Sequence, residues 1–232
     1  MSTIHSRVAI HMAQFDPSHD MNHVDRVVRL AKVLGRKVAQ SQTVDLQVVE
    51  VAALLHDVND HKYQTQLSDG QSIMMSCLSD SGLSPEQQDL VLKIATNMSY
   101  STEKKLRKTG EWGQWHDECV ELHVVQDADR LDAIGAIGIL RVAAYSGAKD
   151  RPLVLTTDDE GEDAMMHFDE KLLHLHKTMK TGPGKDLAVK RTKIMNELVQ
   201  QMYDEVTLAD LEEENPEMRA IGVLMKERWF KQ

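Results

Sequence analysis

The amino-acid sequence predicts an all-α protein. Apolar residues recur at helical spacing in nearly every segment, as in Val27, Leu30, Ala31 and Leu34, which follow His23. Helix start signals precede several of these segments, and no segment shows the alternation expected of a half-buried strand. The 232 residues, 41% of them hydrophobic, suffice for one well-packed domain that spans residues 1–232.

The first two predicted helices are separated by a short break. Residues 4–14 form an amphipathic opening helix, which the residues Asp16-Pro17-Ser18 end. The second helix starts after Asp20, which we expect to cap it, and runs to about Ala39. This register places His23 on the apolar, inward stripe of the helix.

The third predicted helix ends in a polar cluster. Its apolar run from Leu46 to Leu55 contains one charge, Glu50, so protein surrounds it on most sides. His56 and Asp57 follow directly and lie about 100° apart on a helix, which lets them share one cation. Because an unpaired buried aspartate is costly, a divalent metal is one partner for them. The alternative is a C-terminal turn in which the histidine binds a backbone carbonyl.

Residues 60–118 combine a polar connection, two helices and a basic segment. In the connection, Lys62 is either a solvated charge or a phosphate contact. A helix is predicted over 71–78, and Ser84, Pro85 and Gln87 give the signature of a capped helix start. Residues 101–118 carry a basic cluster without apolar periodicity. We interpret them as a mobile surface insertion, with a lid over phosphates as the alternative that Trp112 and Trp115 leave open.

A central helix is predicted from about Cys119 to Tyr145. It is largely apolar, yet its middle carries the charged residues Asp127, Asp129, Arg130 and Asp132. Pairing Arg130 with one of the aspartates would neutralise part of this charge and still leave a carboxylate over. Gly135 and Gly138 follow, and each costs a helix roughly 1 kcal/mol relative to alanine, so we expect a close neighbouring helix there.

Three separate buried helices together offer a metal-binding set. His23, His56, Asp57 and Asp127 would supply two imidazoles and two carboxylates. Such a mixed nitrogen and oxygen set suits a divalent transition metal or magnesium.

The C-terminal third is also predicted to be helical. Helices over 164–179 and 186–204 flank Thr181-Gly182-Pro183-Gly184, which we interpret as a turn, with a phosphate-binding loop as the alternative. Lys171 and Arg191 beside it are candidate phosphate contacts. The last helix has an apolar face that fits either the core or a homodimer contact.

Composition excludes several classes of protein. A formal net charge of -10 argues against binding polymeric nucleic acid, and aromatic residues at 4% are too sparse for base-stacking platforms. No apolar stretch has membrane-spanning length, and residues 1–7 lack a signal-peptide core. Cys77 and Cys119 are too few for a disulfide framework or a thiolate metal site. We therefore expect a cytoplasmic protein without a membrane partner. A small phosphorylated substrate, unlike a polymer, would need only a few local cations.

Three segments together resemble the HD superfamily of metal-dependent phosphohydrolases, and more narrowly its small single-domain bacterial members. The segments are Ser18-His19-Asp20 with His23 and Arg26-Val27, Leu55 to Lys62, and Gln126 to Gly135. His167-Phe168 with Glu170 to Leu173 extends the match to most of the chain. The resemblance implies a helical HD-type domain whose metal site, formed by His23, His56, Asp57 and Asp127, is buried between the central helices.

The resemblance also implies a chemistry. It implies one divalent metal ion (Mn, Mg, Co, Ni, Fe or Zn), although His61, His116 and His123 are available for a second. It favours a catalytic or supporting role for Asp60 and a phosphate contact for Lys62. The implied reaction is hydrolysis of nucleoside triphosphates to monophosphate and pyrophosphate. The alternatives are a nucleoside monophosphate phosphatase, a cyclic phosphodiesterase, or a non-catalytic metal-stabilised module that binds a nucleotide.

Overall fold

The computed structural model describes residues 2–59, 70–155, 161–209 and 216–229, which contain helices and no strand. The predicted all-α fold is confirmed. The α-helices are α1 (Ser2–Met12), α2 (Met21–Val38), α3 (Leu46–Leu55), α4 (Gly70–Ser79), α5 (Pro85–Asn97), α6 (Tyr100–Thr109), α7 (Gln114–Glu118), α8 (Val120–Asp132), α9 (Gly135–Ala148), α10 (Met166–Glu170), α11 (Gly182–Thr207) and α12 (Pro216–Trp229). A 3₁₀ helix, Leu172–Thr178, follows α10.

The chain forms two compact units. Unit 1 consists of Met1–Asp132 with Met179–Lys185, and unit 2 consists of Ala133–Thr178 with Asp186–Gln232. In unit 1 the helices α2, α3 and α8 pack against one another, and α5 packs on α3. The apolar run of α3 forms the centre of this core, because every residue from Val51 to Leu55 is buried.

Two helix starts predicted from local signals are confirmed. The side chain of Asp20 caps α2 by accepting a hydrogen bond from the backbone N–H of His23. Ser84 and Gln87 form a capping box at α5, with Pro85 in the first turn. The cap at Asp20 fixes the first turn of α2, which carries His23.

The single central helix predicted from Cys119 to Tyr145 is wrong. The chain forms α8 and α9 with a break at Ala133 and Ile134, and Gly135 adopts φ +76°. A side chain is strained in this left-handed conformation. A Cβ atom at Gly135 would also lie 3.0 Å from Cβ and Cγ of Arg191 on α11, so glycine serves both the break and the predicted close approach of a neighbouring helix. At Gly138 a Cβ atom would lie 2.3 Å from the carbonyl oxygen of Ala133.

Residues 101–118, predicted as a surface insertion, contain most of α6 and all of α7. Trp112 stacks on His116 with ring centroids 4.5 Å apart, and the guanidinium of Arg107 lies 4.3 Å from the Trp112 ring. Glu103 on α6 is buried, with 7% of the residue exposed. The segment therefore contacts the rest of unit 1 through a buried carboxylate.

In unit 2 the fully buried residue Asp163 links three segments of the chain. Its carboxylate accepts hydrogen bonds from the backbone N–H groups of Leu155 and Met166 and from Nε1 of Trp229 on α12. Trp229 is 1% exposed, so its side chain packs inside unit 2. The homodimer alternative stays a prediction.

No single helix among the described residues is long and apolar enough to cross a membrane. Of the helices that the structure describes, α8 and α9 reach such a length and composition when they are taken together.

Candidate metal centre

Two buried imidazoles face each other inside unit 1. His23 lies in the first turn of α2, and His56 directly follows α3. Their Nε2 atoms are 3.2 Å apart, and the residues are 1% and 5% exposed, respectively. The packing of α2 against α3 thus brings together two histidines that are 33 residues apart in the sequence.

The hydrogen bonds of the two rings indicate which nitrogen carries hydrogen. His56 Nδ1 lies 2.8 Å from the carbonyl oxygen of Ala53, and His23 Nδ1 lies 2.7 Å from Oδ2 of Asp132. Both partners only accept hydrogen bonds, so we assign a hydrogen to each Nδ1. A neutral ring then has its lone pair on Nε2, and the two lone pairs point into the same space.

Carboxylate oxygens complete this cluster. Oδ2 of Asp57 lies 3.3 Å from Nε2 of His23 and 3.2 Å from Nε2 of His56. Oδ1 of Asp129 lies 3.7 and 3.9 Å from the same two nitrogens. One ligand atom each from His23, His56 and Asp129 falls within a span of 4.8 Å. We call His23, His56, Asp57 and Asp129 the metal cluster.

The surroundings of the Asp57 carboxylate indicate whether a metal fits the cluster. Its Oδ2 is buried and accepts no hydrogen bond from any residue that the structure describes. A buried carboxylate oxygen without a partner is costly, and two neutral imidazoles would present lone pairs to it rather than N–H groups. Imidazole nitrogens and carboxylate oxygens around one point suit a divalent metal cation.

Without a metal, the pKa values of two cluster residues depart from their usual values. Burial lowers the pKa of His56, but the carboxylates of Asp57 and Asp129 outweigh this effect and raise it to about 9. Burial raises the pKa of Asp57, yet the imidazoles of His56 and His23 hold it well below its usual range. The electrostatics of the cluster therefore favour positive charge at its centre.

The structure does not bring Asp127, the fourth ligand predicted from the sequence, into the metal cluster. Its Oδ1 accepts from the backbone N–H of Lys180, and its Oδ2 accepts from N–H and Oγ1 of Thr181, each at 2.8 Å. Burial raises the pKa of this carboxyl group, although the donors oppose that shift. Asp129, two positions further along α8, offers an oxygen to the imidazoles instead.

Asp127 binds the segment that we predicted from the sequence to be a turn or a phosphate-binding loop. Gly182-Pro183-Gly184 forms the first turn of α11, and the N–H of Gly184 donates to Oγ1 of Thr181. The N–H groups of residues 180, 181 and 184 are thus used within the chain. At Gly184 a Cβ atom would lie 2.2 Å from Oδ2 of Asp127, so the close approach requires glycine.

Arg130 pairs with a residue that the sequence did not suggest. Its Nη2 lies 2.6 Å from Oε2 of Glu103, while Lys180 and Arg107 both contact Oε1 of that carboxylate. Burial raises the pKa of Glu103, but the three cations outweigh it and lower the pKa to about 2. Glu103 thereby joins α6, α8 and the segment before α11.

The remaining predicted site residues lie elsewhere. Asp60, His61 and Lys62 fall outside the described residues, and Lys171 and Arg191 belong to unit 2. Nε2 of His123 lies 2.8 Å from the carbonyl oxygen of His116. Nε2 of His116 lies 3.0 Å from Oδ1 of Asn97, and its Nδ1 accepts from the N–H of Gly113. In the part of the chain that the structure describes, neither histidine joins a second group of ligands.

Comparisons with known proteins agree with this site. A family model of the HD domain matches residues 21–134, which include the whole metal cluster. The chain is 38% identical over 194 residues to the YpgQ protein of Bacillus subtilis, covering 84% of this chain and 87% of YpgQ.

Two crystal structures extend the likeness to the fold. YpgQ in complex with ADP matches with a TM-score of 0.70 and 34% identity, over 88% of this chain and 97% of that one. A HD-superfamily hydrolase from Bacillus thuringiensis matches with a TM-score of 0.65 and 31% identity, over 88% of this chain and 95% of that one. Sequence and fold agree over most of the length of these relatives, and the chain therefore belongs to the HD superfamily.

Proposed function

We propose that this chain is a metal-dependent phosphohydrolase that cleaves nucleoside triphosphates to monophosphate and pyrophosphate. The observation that carries the proposal is the buried Oδ2 of Asp57, which faces two imidazole nitrogens at 3.3 and 3.2 Å and accepts no hydrogen bond from a described residue. His23, His56, Asp57 and Asp129 would hold one divalent metal. Asp129 replaces Asp127 in the set that the sequence suggested.

The residues of the cluster suit hydrolysis at a phosphoryl group. When bound, a divalent metal lowers the pKa of water and neutralises charge on a phosphoryl oxygen. The chain fixes both imidazoles in one tautomer and keeps Asp57 largely buried. The side chain of Asp129 is 27% exposed, against 1% for each imidazole and 14% for Asp57, so substrate reaches the cluster on the Asp129 side.

Residues outside the cluster would accept the proton of the attacking water and bind the phosphates. Asp60 and Lys62 follow Asp57 closely in the sequence. In the proposed reaction Asp60 takes the proton of the attacking water, and Lys62 binds a phosphoryl oxygen. Lys171 and Arg191 are further phosphate contacts in the proposal, because phosphate oxygens need fixed cations.

A nucleotide is the substrate class that the comparisons support. The relative YpgQ was crystallised with ADP, a nucleoside diphosphate. A formal net charge of -10 favours a small anion, which needs only a few local cations, over a nucleic acid polymer. Product analysis distinguishes cleavage to pyrophosphate from the other hydrolase reactions.

The test is product release from a nucleotide panel. Metal-stripped protein receives Mn, Mg, Co, Ni or Zn singly, with nucleoside triphosphates, monophosphates and cyclic nucleotides as substrates. Metal-dependent pyrophosphate from triphosphates is the expected result. Inorganic phosphate from monophosphates, or opening of a cyclic nucleotide, would instead identify the other hydrolase reactions. Saturable binding without turnover would identify a nucleotide-binding module.

A matched pair of histidine variants links turnover to the cluster. His23→Ala removes a cluster imidazole, and His5→Ala removes an exposed imidazole that also contacts an aspartate, Asp25, at 2.8 Å. We expect His23→Ala to lose turnover and His5→Ala to retain it. Equal activity in the two variants would contradict the assignment of the site.

A further inference from the structure

The two imidazoles of the metal cluster donate from their Nδ1 atoms to different acceptors. Nδ1 of His56 donates to the carbonyl oxygen of Ala53, a neutral group on its own helix. Nδ1 of His23 donates at 2.7 Å to the carboxylate of Asp132, which comes from another helix, α8. The side chains of His23 and Asp132 are only 1% and 3% exposed, so water does not compete for this bond.

The carboxylate of Asp132 is itself held in one orientation by Arg26. Nε of Arg26 donates to Oδ1 at 2.8 Å, and Nη2 donates to Oδ2 at 3.0 Å. This two-pronged contact fixes the plane of the carboxylate, which a lysine ammonium does not do. Arg26 lies one turn after His23 on α2, so the chain Arg26, Asp132, His23 closes between α2 and α8.

Two residues of α8 therefore lie against the ring of His23, one on each side. Asp129 offers its oxygen to the Nε2 side of the ring, and Asp132, one turn later, accepts from the Nδ1 side. A carboxylate acceptor fixes the tautomer and the orientation of a ligating imidazole and makes it a stronger metal ligand.

We propose that Asp132, oriented by Arg26, is a positioning residue that keeps His23 in the tautomer and orientation required to bind the metal. Asp132 contacts Nδ1 of His23 and would act only through the ring of that residue. The inference rests on the metal site of the proposed function, but it does not depend on which nucleotide is cleaved. It also predicts that the two histidines are unequal, because His56 has only a neutral acceptor behind it.

The test measures metal affinity in the absence of nucleotide. Asp132→Asn keeps the size of the side chain and removes its charge, and we expect Co²⁺ to bind roughly 10- to 100-fold more weakly to the metal-stripped variant. Arg26→Lys keeps the positive charge and loses the two-pronged contact, and it should weaken Co²⁺ binding by a smaller factor. Asp80→Asn is the matched control, since Asp80 accepts from Arg7 in an exposed pair of unit 1 at 2.9 Å.

A double-mutant cycle separates positioning from general damage to the fold. In a His23→Ala background, Asp132→Asn should change Co²⁺ affinity by less than about threefold, because the residue through which it acts is gone. Arg26→Lys provides the same cycle if the Asp132 variant does not fold. An equal loss in both backgrounds, or no loss in the wild-type background, would overturn the inference.

The outcomes also separate this inference from the proposed function. If the wild-type chain binds Co²⁺ and the cycle behaves as expected while no nucleotide is hydrolysed, the inference holds and the hydrolase proposal fails. If the wild-type chain does not bind any of the metals, both fail. Turnover with an equal loss in both backgrounds would leave the hydrolase proposal intact and remove the role of Asp132.

Discussion

The helix α8 has two polar faces that use the same residue types for opposite purposes. On one face, Asp129 and Asp132 serve the imidazole of His23 from its two sides. On the other, Asp127 binds the start of α11 and Arg130 binds Glu103. The difference lies in what satisfies each carboxylate. Asp127 accepts three N–H or O–H hydrogen bonds, and Asp132 accepts from His23 and Arg26. The carboxylates of Asp57 and Asp129 instead face the Nε2 atoms of the two imidazoles. A buried aspartate indicates a metal only when protein donors do not already saturate it.

The largest expected effect is on the metal-binding face. Asp129→Ala removes one carboxylate ligand, so we expect metal affinity to fall at least roughly 100-fold, beyond the effect of a supporting residue. The metal-free variant should fold normally, because Asp129 is partly exposed. Calorimetric titration of metal-stripped protein with Mn²⁺ measures the loss, with the exposed Asp89→Ala as control. Unchanged affinity would remove Asp129 from the ligand set.

The reciprocal change is on the anchoring face. Asp127→Ala leaves the N–H groups of Lys180 and Thr181 without their acceptor, and we expect a loss of about 3 kcal/mol in the free energy of unfolding. Urea denaturation of the metal-free protein measures this value. Metal affinity of the folded variant should stay within about threefold of wild type. A stable Asp127→Ala protein without metal would restore the ligand set that the sequence suggested.

The ion pair on the anchoring face gives a dependence on pH. The folded-state pKa of Glu103 is lowered to about 2 from 4.5 in the unfolded chain, so its contribution is complete above about pH 4.5 and is lost as the pH falls toward 2. We expect up to about 2 to 3 kcal/mol of stability to disappear over this range. Glu103→Gln lacks the titrating group, and its stability should approach that of wild type as the pH falls. Parallel curves from pH 6 to pH 3 would show that Glu103 does not act this way.

The smallest effect tests the contact between Asp127 and α11. In Gly184→Ala the added methyl group would lie 2.2 Å from Oδ2 of Asp127, and we expect a loss of about 1 to 2 kcal/mol as the contact opens. Gly182→Ala is the matched control, since a Cβ atom there meets nothing within 4 Å. Thermal unfolding of the two variants measures the difference. Equal melting temperatures would contradict the close approach of α11 to Asp127.

Local signals in the sequence predicted the fold well. The caps at Asp20 and Ser84 depend on residues within three positions, so they can be recognised without tertiary structure. The break between α8 and α9 could not be predicted in this way, because glycine in a helix costs only about 1 kcal/mol and tolerates either conformation. Only the structure shows the positive φ of Gly135.

The site was predictable in its histidines and less so in its aspartates. His23 and His56 lie at helix ends with clear apolar registers. Asp127 and Asp129 lie in the same buried helix, and their roles depend on partners that are distant in the sequence. The donors to Asp127 come from residues 53 and 54 positions later. The spacing of three between Asp129 and Asp132 was the available signal, since it places both on one face of α8.

The anchor at Asp127 has a consequence for how the chain is made. All four residues of the metal cluster have been synthesised once the ribosome passes Asp129, but the acceptor at Asp127 obtains its donors only when residues 180 and 181 emerge. Until then the helix that supplies Asp129 would bury an unsatisfied carboxylate. We therefore expect a chain shortened to residues 1–132 to hold every cluster residue and still fail to fold stably. We therefore expect the metal site to become stable only after residues 180 and 181 have been translated.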